Sequence, residues 1–186
     1  MCIKGVAVNW PPVFSRYGVT LRPLAEDMLE TVRQWRNDPE IAQHMLNQEL
    51  ITAEKQRLWF QELVDDRSRA YWVAWFKNEP IGVASLVNID RVSGTVEPGM
   101  YIYPQIYRNN IVPFCVAFAL NDMAFEVLGL TCLKGKIFPE NEASIRFHQK
   151  CGYSEIPSDD EKLLRYELVR ANYESARAPI ALFIRY

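Results

Sequence analysis

The segment from residue 111 to 129, IVPFCVAFALNDMAFEVLG, limits the possible folds more than any other part of the chain. Its residues are apolar on nearly every side of a helix, and such a helix is stable in water only when other elements cover it. Gly129 stands where a glycine commonly follows a helix end. The sequence therefore predicts a buried helix with the rest of the domain packed around it.

Strand-like segments come directly before this helix. They are rich in β-branched and aromatic residues, are separated by KNEP and RVSG, and span residues 70–76, 79–90 and 94–104. Short polar connections of this kind join neighbouring antiparallel strands. We therefore predict an antiparallel meander of three strands.

The remaining segments alternate between strand and helix patterns. Strands are predicted at 19–24, 131–138 and 161–170, and helices at 25–37, 38–45, 52–66 and 141–151, with Thr52 as a cap. Because strands adjoin helices on both sides, the fold class is α/β (α+β), a mixed sheet covered by helices.

The length of 186 residues suits one domain. We predict an irregular N-terminal extension at 1–18, the domain at 19–170 and a tail at 171–186. The tail contains the apolar stretch APIALFI, which could cover a neighbouring edge or pair two chains into a homodimer.

Several classes of protein are excluded by charge and composition. The net charge is −2 and the basic residues are scattered, so neither nucleic acid nor a membrane surface is an expected partner. No run of eighteen apolar residues and no signal peptide is found, so we expect a cytoplasmic protein.

The cysteines do not have metal-ligand spacing, so no metal is expected. Cys2, Cys115, Cys132 and Cys151 are interpreted as reduced, mostly buried residues. Cys151 lies three residues from His148, which leaves a nucleophilic cysteine as a minor alternative.

A polar loop, Arg108, Asn109 and Asn110, precedes the buried helix. The N–H groups and dipole at a helix start favour anions, most simply a phosphate. The alternative is that an asparagine caps the helix and Arg108 is solvated.

Asn141, Ser144 and His148 share one face of the helix predicted at 141–151. A histidine can act as an acid or a base near neutral pH. The alternatives are a cap at Asn141, a small packed residue at Ser144 and a hydrogen-bonded, half-buried imidazole at His148.

Three segments together resemble the GCN5-related N-acetyltransferases (GNAT). They are EPGMYIYPQIYRNNIV, FEVLGLTCLKGKIFPENEASIRFHQKCGY and LRPLAEDMLETVRQWRNDPEIAQHM. The last is similar to the subset that acetylates amino-sugars on nucleotide carriers. The resemblance covers about residues 19–170. It implies a central mixed, mostly antiparallel sheet with helices on both faces, and acetyl transfer from acetyl-CoA to a small-molecule amine.

The resemblance also implies where acetyl-CoA, as co-substrate, would bind. It assigns the pyrophosphate to the loop at the helix start, the thioester oxygen to strand N–H groups, and the pantetheine arm to the helix at 141–151. The residues concerned are Arg108, Asn109, Asn110, Ile111 and Val112; Ile102 and Tyr103; and Asn141 with Ser144.

The loop departs from the family pattern at two positions. Ile111 and Pro113 stand where the family has small residues, and a proline has no N–H to give to a phosphate. Losing one charge-assisted bond costs about 1.5–3 kcal/mol, or roughly ten- to a hundredfold in affinity. We therefore expect weakened binding of acetyl-CoA.

For catalysis, the resemblance implies that the amine attacks the thioester directly. Glu97 would be the base, and His148, where the family usually has tyrosine, would donate a proton to the CoA thiolate. A histidine can donate this proton only while its imidazole is protonated, so the activity would fall as the pH rises. The acceptor would meet Arg36, Asn37, Met45 and Asn47.

Two alternatives to an amino-sugar transferase remain open. One is acetylation of a protein N-terminus or another small amine. The other is a binding module that keeps the fold with weakened or lost acetyl-CoA binding, which the departures at Ile111 and Pro113 motivate.

Overall fold

The strands form one eight-stranded sheet in this computed structural model, which describes residues 10–185. They are β1 (Phe14–Arg16), β2 (Val19–Pro23), β3 (Ala70–Phe76), β4 (Glu79–Asp90), β5 (Thr95–Ile102), β6 (Cys132–Ile137), β7 (Ser154–Ile156) and β8 (Leu164–Val169). Their order across the sheet is β1-β2-β3-β4-β5-β6-β8-β7, and only β5 and β6 pair in parallel. The predicted meander is confirmed as β3-β4-β5.

The helices connect these strands. They are α1 (Leu29–Asn37), α2 (Pro39–Ala42), α3 (Ala53–Asp65), α4 (Gln105–Arg108), α5 (Val112–Asp122), α6 (Glu142–Lys150) and α7 (Arg170–Ala181). Thr52 caps α3 as predicted, because its Oγ1 accepts the Lys55 N–H at 3.1 Å. A π-helical turn, Met123–Val127, continues α5.

Helices cover both faces of the sheet. Val116, Phe118 and Leu120 of α5 are at most 1% exposed and pack in the larger core cluster, which confirms the predicted buried helix. Val32 and Trp35 of α1 form a second cluster with strand residues of the other face. The mixed, mostly antiparallel sheet with helices on both faces is therefore confirmed.

The strands β5 and β6 diverge soon after they meet. Their pairing is limited to Thr95 with Cys132 and Val96 with Leu133, although β5 continues to Ile102. The unpaired halves leave a V-shaped gap with free backbone groups along the edge of β5. A gap of this kind can admit an extended ligand as if it were another strand.

The ends of the chain differ from the predictions. Residues 14–16, expected to be irregular, form β1 against β2, and residues 1–9 lie outside the described part. The tail forms α7, where the Tyr173 hydroxyl donates to the carboxylate of Asp122 at 2.6 Å. The strand β7 was not predicted. Pairing of two chains through APIALFI stays a prediction.

Within residues 10–185, no helix is long and apolar enough to cross a membrane.

Candidate active site

A cavity of about 560 Å³ occupies the gap between β5 and β6. We call it the donor cleft. One side is formed by α2 and the residues that follow it, and the other by α5 and α6. The predicted site residues that line it are Met45, Glu97, Ile102, Arg108, Asn141, Ser144 and His148.

The open edge of β5 presents some of its N–H groups to the cleft. The Tyr103 N–H donates to the Ile81 carbonyl at 2.8 Å, so it faces β4. Because N–H groups alternate between the two sides of a strand, those of Ile102 and Met100 face the gap. The prediction that Tyr103 offers its N–H to the thioester is therefore wrong, and Met100 was missed because the register cannot be read from the sequence.

The Arg108 guanidinium is already bonded to groups of the protein. Its Nε donates to the Ile102 carbonyl at 2.9 Å, and its other nitrogens donate to the Tyr103 carbonyl and, at 2.7 Å, to the Glu40 carboxylate. These bonds tie the end of β5 to α2. Arg108 therefore shapes the cleft, and an anion would have to compete for its guanidinium.

The start of α5 offers few free N–H groups. The Val112 N–H donates to Asn110 Oδ1 at 2.8 Å, and Pro113 has none. Asn109 is exposed behind α4, and Ile111 is half-buried at the first position before α5. Of the residues after Arg108 in this loop, only Pro113 lines the cleft. Pyrophosphate binding by this loop stays a prediction. Asn110 accepts the first N–H of α5, but the N-cap position is held by Ile111, which has no side-chain cap bond.

On α6 the predicted face points into the cleft. Asn141 Oδ1 caps the helix by accepting the Ser144 N–H at 3.1 Å. The His148 Nδ1 lies 2.8 Å from the Ser144 carbonyl oxygen and 3.3 Å from its hydroxyl. Burial lowers the pKa of His148 below its usual 6.5, and the bond to the Ser144 carbonyl offsets this in part. The imidazole is therefore neutral at neutral pH.

Glu97 is the first residue of β5 beyond the paired part. Both of its carboxylate oxygens contact the Lys136 Nζ, at 2.9 and 3.1 Å. An amine that approached Glu97 would have to displace this ammonium. The assignment of Glu97 as the base stays a prediction.

Asn121 also lines the donor cleft and was missed by the sequence analysis. It is 2% exposed, and within residues 10–185 its side chain has no hydrogen-bond partner. Buried amides normally have partners, so Asn121 is available to a ligand in the cleft. The sequence signal that could have indicated it is the polar pair Asn121 and Asp122 at the end of a helix that is apolar up to that point.

A second cavity, of about 470 Å³, lies on the opposite side of β5. We call it the acceptor cavity. It shares Met45, Ser85, Gly99, Met100 and Tyr101 with the donor cleft, so the two meet at β4 and β5. Molecules bound in the two cavities would therefore come together at these strands.

Three of the four predicted acceptor residues line this second cavity, namely Arg36, Met45 and Asn47. Asn37 does not, because its side-chain amide is bonded to both the N–H and the carbonyl of Ile51, at 2.9 and 2.8 Å. The assignment of Asn37 to the substrate stays a prediction, and an acceptor would have to compete with Ile51 for this amide. Arg36 donates to the Asn47 carbonyl, and burial lowers its pKa from the usual value.

Aromatic rings and one buried amide complete the acceptor cavity. Trp59 and Tyr71 pack edge to face with ring centres 4.8 Å apart. Gln56 is 6% exposed, and its side chain has no partner among the residues that the structure describes. Glu49 is paired with Lys55 at 3.5 Å. Gln56 was not predicted from the sequence as a site residue, because only the apolar side of α3 was considered.

The cysteines do not support nucleophilic catalysis. Cys151 is 1% exposed, and burial raises the pKa of its thiol to about 12, so it is not a thiolate at neutral pH. Burial likewise raises the pKa of Cys115 to about 11. Cys2 lies outside the described residues. Among residues 10–185, no cluster of metal-ligating side chains is found.

Comparisons with known proteins agree with this arrangement. The model of the acetyltransferase (GNAT) domain matches residues 19–154. Two curated proteins named acetyltransferase PseH, from strains of Campylobacter jejuni, are 28% and 26% identical over 139 residues, which are 72% of this chain and 81% of each relative.

Solved structures share the fold at lower identity. A spermidine N-acetyltransferase from Vibrio cholerae, in complex with CoA and spermine, has a TM-score of 0.78 at 18% identity, covering 86% of this chain and 99% of that one. The Campylobacter jejuni N-acetyltransferase PseH, in complex with acetyl coenzyme A, has a TM-score of 0.65 at 21% identity, covering 82% and 99%.

Proposed function

The chain belongs to the GNAT acetyltransferase family, and we propose that it acetylates the primary amine of an amino-sugar carried on a nucleotide. Acetyl-CoA-dependent N-acetyl transfer is the reaction of this protein. The nature of the acceptor is the proposed part. It rests on the resemblance of residues 21–45 to the amino-sugar subset and on the chemistry of the acceptor cavity.

The charges of the acceptor cavity carry this choice of substrate. Arg36 is half-buried and keeps its positive charge. Glu49, the one carboxylate among the described residues that line the cavity, is paired with Lys55. A polyamine would bring further positive charges against Arg36 and Lys55, whereas a sugar nucleotide brings anionic phosphates. Asn47 and Met45 would line the floor beneath the sugar.

The aromatic and amide groups suit the rest of such an acceptor. Trp59 and Tyr71 provide flat apolar surface against which a sugar or a base can pack. Gln56 offers two donors and one acceptor oxygen that no described side chain or backbone group uses. Sugar hydroxyls are suitable partners for this amide.

Acetyl-CoA fits the donor cleft as an added strand. The pantetheine amides can pair with the open edge of β5, with Asn121 and with Asn141 and Ser144 on the wall of the cleft. Its pyrophosphate would lie by the start of α5, among Arg108, Asn109, Asn110, Ile111 and Val112. The partners of Arg108 and Val112 reduce the donors left for it.

The chemistry is addition of the amine to the thioester carbonyl, followed by loss of CoA. The C–N bond forms, the C–S bond breaks, and a proton leaves the amine. The Ile102 and Met100 N–H groups face the gap and can stabilise the oxyanion. Glu97 and His148, the titratable residues that the sequence analysis predicted for catalysis, both line the donor cleft and are the candidates for the proton transfers.

A thiol-release assay with a panel of amines tests the acceptor. The panel contains a nucleoside-diphosphate-linked amino-sugar, the same sugar without the nucleotide, spermidine and a peptide with a free N-terminus. We expect kcat/KM for the nucleotide-linked sugar to exceed that for spermidine by about 100-fold, because like charges repel in the cavity. Brisk turnover of spermidine or peptide with none of the sugar nucleotide removes the proposal.

Two further measurements separate the alternatives. Calorimetry with acetyl-CoA alone should give heat, and its absence at high micromolar ligand would instead support an inert binding module. Arg36→Gln should raise KM for the nucleotide-linked sugar about tenfold or more while leaving the Kd of acetyl-CoA unchanged. Arg36→Lys, which keeps the charge, is the matched control.

A further inference from the structure

The hydrogen bond between His148 and Ser144 fixes which imidazole nitrogen carries the proton. A carbonyl oxygen can only accept, so at 2.8 Å from the Ser144 carbonyl the His148 Nδ1 must be the donor. The neutral ring then has an unprotonated Nε2. From this geometry we propose that His148 carries both proton transfers of the reaction through Nε2, first as the base and then as the acid.

The residue that faces Nε2 from β6 is a glycine, and His148 lines the donor cleft. A Cβ placed on Gly135 would lie 3.6 Å from Nε2, so any larger side chain there would crowd this nitrogen. Tyr153 packs edge to face on the ring at 4.9 Å, and Tyr166 of β8 lies 6.3 Å away. These rings hold the imidazole in one orientation.

The titratable groups near His148 do not supply a competing charge. Burial raises the pKa values of Tyr153, Tyr166 and Cys151, so all three are neutral at neutral pH. On β6, Lys134 and Lys136 also line the donor cleft, but they alternate with Gly135, which faces the imidazole, so their side chains leave the opposite face of the strand. None of these groups stabilises a protonated His148 imidazole before the substrates bind.

The other candidate base is held by an ion pair. Both oxygens of Glu97 contact Lys136, whereas Nε2 of His148 has no hydrogen-bond partner among the described residues. On the walls of the donor cleft, His148 therefore offers a neutral lone pair that is ready to accept a proton.

Nε2 of His148 accepts one proton and later gives it back, so it ends the reaction as it began. As the C–N bond forms, the amine proton passes to Nε2 and gives an imidazolium. As the C–S bond breaks, the imidazolium returns the proton to the CoA sulfur, and His148 is neutral again. Nitrogen and sulfur are bound to the same carbon in the addition step, so one imidazole can reach both, as in serine hydrolases.

This inference rests on the proposed acetyl transfer but has a test that needs no turnover. Nitrogen-15 NMR of the free protein distinguishes a protonated from an unprotonated imidazole nitrogen. The chain has two histidines, so the spectrum of His44→Gln assigns the signals. We expect protonated Nδ1 and unprotonated Nε2 in His148 at pH 7.5. A protonated Nε2 would overturn the proposal.

Kinetics of three variants complete the test. His148→Gln should lose about 10²–10⁴-fold in kcat. His148→Tyr should not recover it, because a tyrosine hydroxyl can donate but is a poor acceptor at neutral pH. Gly135→Ala meets only ordinary contacts of 3.5–3.6 Å, so it should fold normally yet lower kcat by crowding Nε2.

The outcomes separate this inference from the proposed function. If the wild type acetylates an amine but His148→Gln stays within threefold, or His148→Tyr matches the wild type, the inference fails and the function stands. If the wild type acetylates no amine in the panel, the proposed function fails, whatever the tautomer. Thermal unfolding of each variant identifies any loss that comes from misfolding.

Discussion

The Lys136 Nζ bridges the two carboxylate oxygens of Glu97, at 2.9 and 3.1 Å, across the point where β5 and β6 diverge. Glu97 directly follows Val96, the last residue of β5 that pairs with β6, and Lys136 lies three residues past Leu133 on β6. The ion pair therefore lies near the narrow end of the donor cleft and engages a carboxylate that could otherwise accept a proton from the amine.

Glu97→Gln tests whether this carboxylate takes the proton. Because Lys136 contacts both of its oxygens and His148 offers a free lone pair, we expect kcat to stay within about threefold of the wild type. A base would lose about 10²–10⁴-fold instead. Steady-state kinetics with saturating acetyl-CoA make the measurement. Lys136→Met is the control that leaves Glu97 unpaired, and a hundredfold loss in Glu97→Gln alone would restore Glu97 as the base.

Arg108→Ala should loosen the wall of the donor cleft. The variant loses the bonds to the Ile102 and Tyr103 carbonyls and to Glu40. We expect the free energy of unfolding to fall by about 1–3 kcal/mol and the Kd of acetyl-CoA to rise, as measured by urea unfolding and calorimetry.

Two control variants separate the contributions of Arg108. Glu40→Gln removes only the partly exposed ion pair and should change the stability by less than about 1 kcal/mol. Arg108→Lys keeps the charge but cannot span the two carbonyls and the carboxylate together. An Arg108→Lys protein with wild-type stability and affinity would contradict the structural account.

The larger elements of the fold could be predicted because their patterns repeat over many residues. The helix α5 and the meander β3-β4-β5 follow from composition and period alone. The three-residue strands β1 and β7 are too short to have a period. The contacts that hold α7 in place include the bond from Tyr173 to Asp122, which lies 51 residues earlier in the chain.

Site residues could be predicted from the sequence where their spacing within one helix determines which way they face. Asn141, Ser144 and His148 share a helical face, and all three line the donor cleft. Tyr103 could not be judged, because strand register decides which N–H faces the gap. The contacts of Arg108 include a residue 68 positions away, a separation at which sequence carries no local signal.

Tyr173→Phe tests how α7 is attached to the domain. The hydroxyl of Tyr173 donates to the buried Asp122 carboxylate at 2.6 Å and lies 3.1 Å from the Phe118 carbonyl. Removing a hydrogen bond to a buried charged group should lower the free energy of unfolding by about 1.5–3 kcal/mol.

Activity and a second tyrosine are the controls for Tyr173→Phe. Activity at saturating substrate should be kept, because Tyr173 lines neither the donor cleft nor the acceptor cavity. Tyr107→Phe is the matched variant, since its hydroxyl lies 3.5 Å from Glu79 at the surface and should matter by less than about 0.5 kcal/mol. Equal stability losses in the two variants would contradict the prediction.

Gln56→Leu should leave the stability of the protein nearly unchanged and impair binding of the acceptor. The Gln56 side chain is 6% exposed and has no partner among the described residues, so replacing it by an apolar side chain of similar size breaks no hydrogen bond of the protein. The KM for the acceptor should rise about tenfold if a substrate hydroxyl loses its partner.

Comparing the Kd of acetyl-CoA with the KM of the acceptor shows whether Gln56→Leu acts on the acceptor alone. The Kd of acetyl-CoA should be unchanged, because Gln56 lines only the acceptor cavity. Gln56→Glu, of nearly the same shape, would bury a charge and should destabilise the protein. An unchanged acceptor KM in Gln56→Leu would show that the amide does not meet the substrate.

The stability of the protein should depend on pH through His148. Burial lowers its pKa in the folded protein below 6.5, so the unfolded chain takes up a proton first as the pH falls. The stabilisation is fully present above about pH 6.5 and is lost as the pH falls toward the folded pKa, by at most about 1.4 kcal/mol per pH unit. Urea unfolding of the wild type and of His148→Gln should therefore give parallel curves from pH 7 to 8 and a shallower decline for the variant between pH 6.5 and 5. Curves that stay parallel at the lower pH would mean that the imidazole is not held neutral, and Nε2 could not then be the resting base.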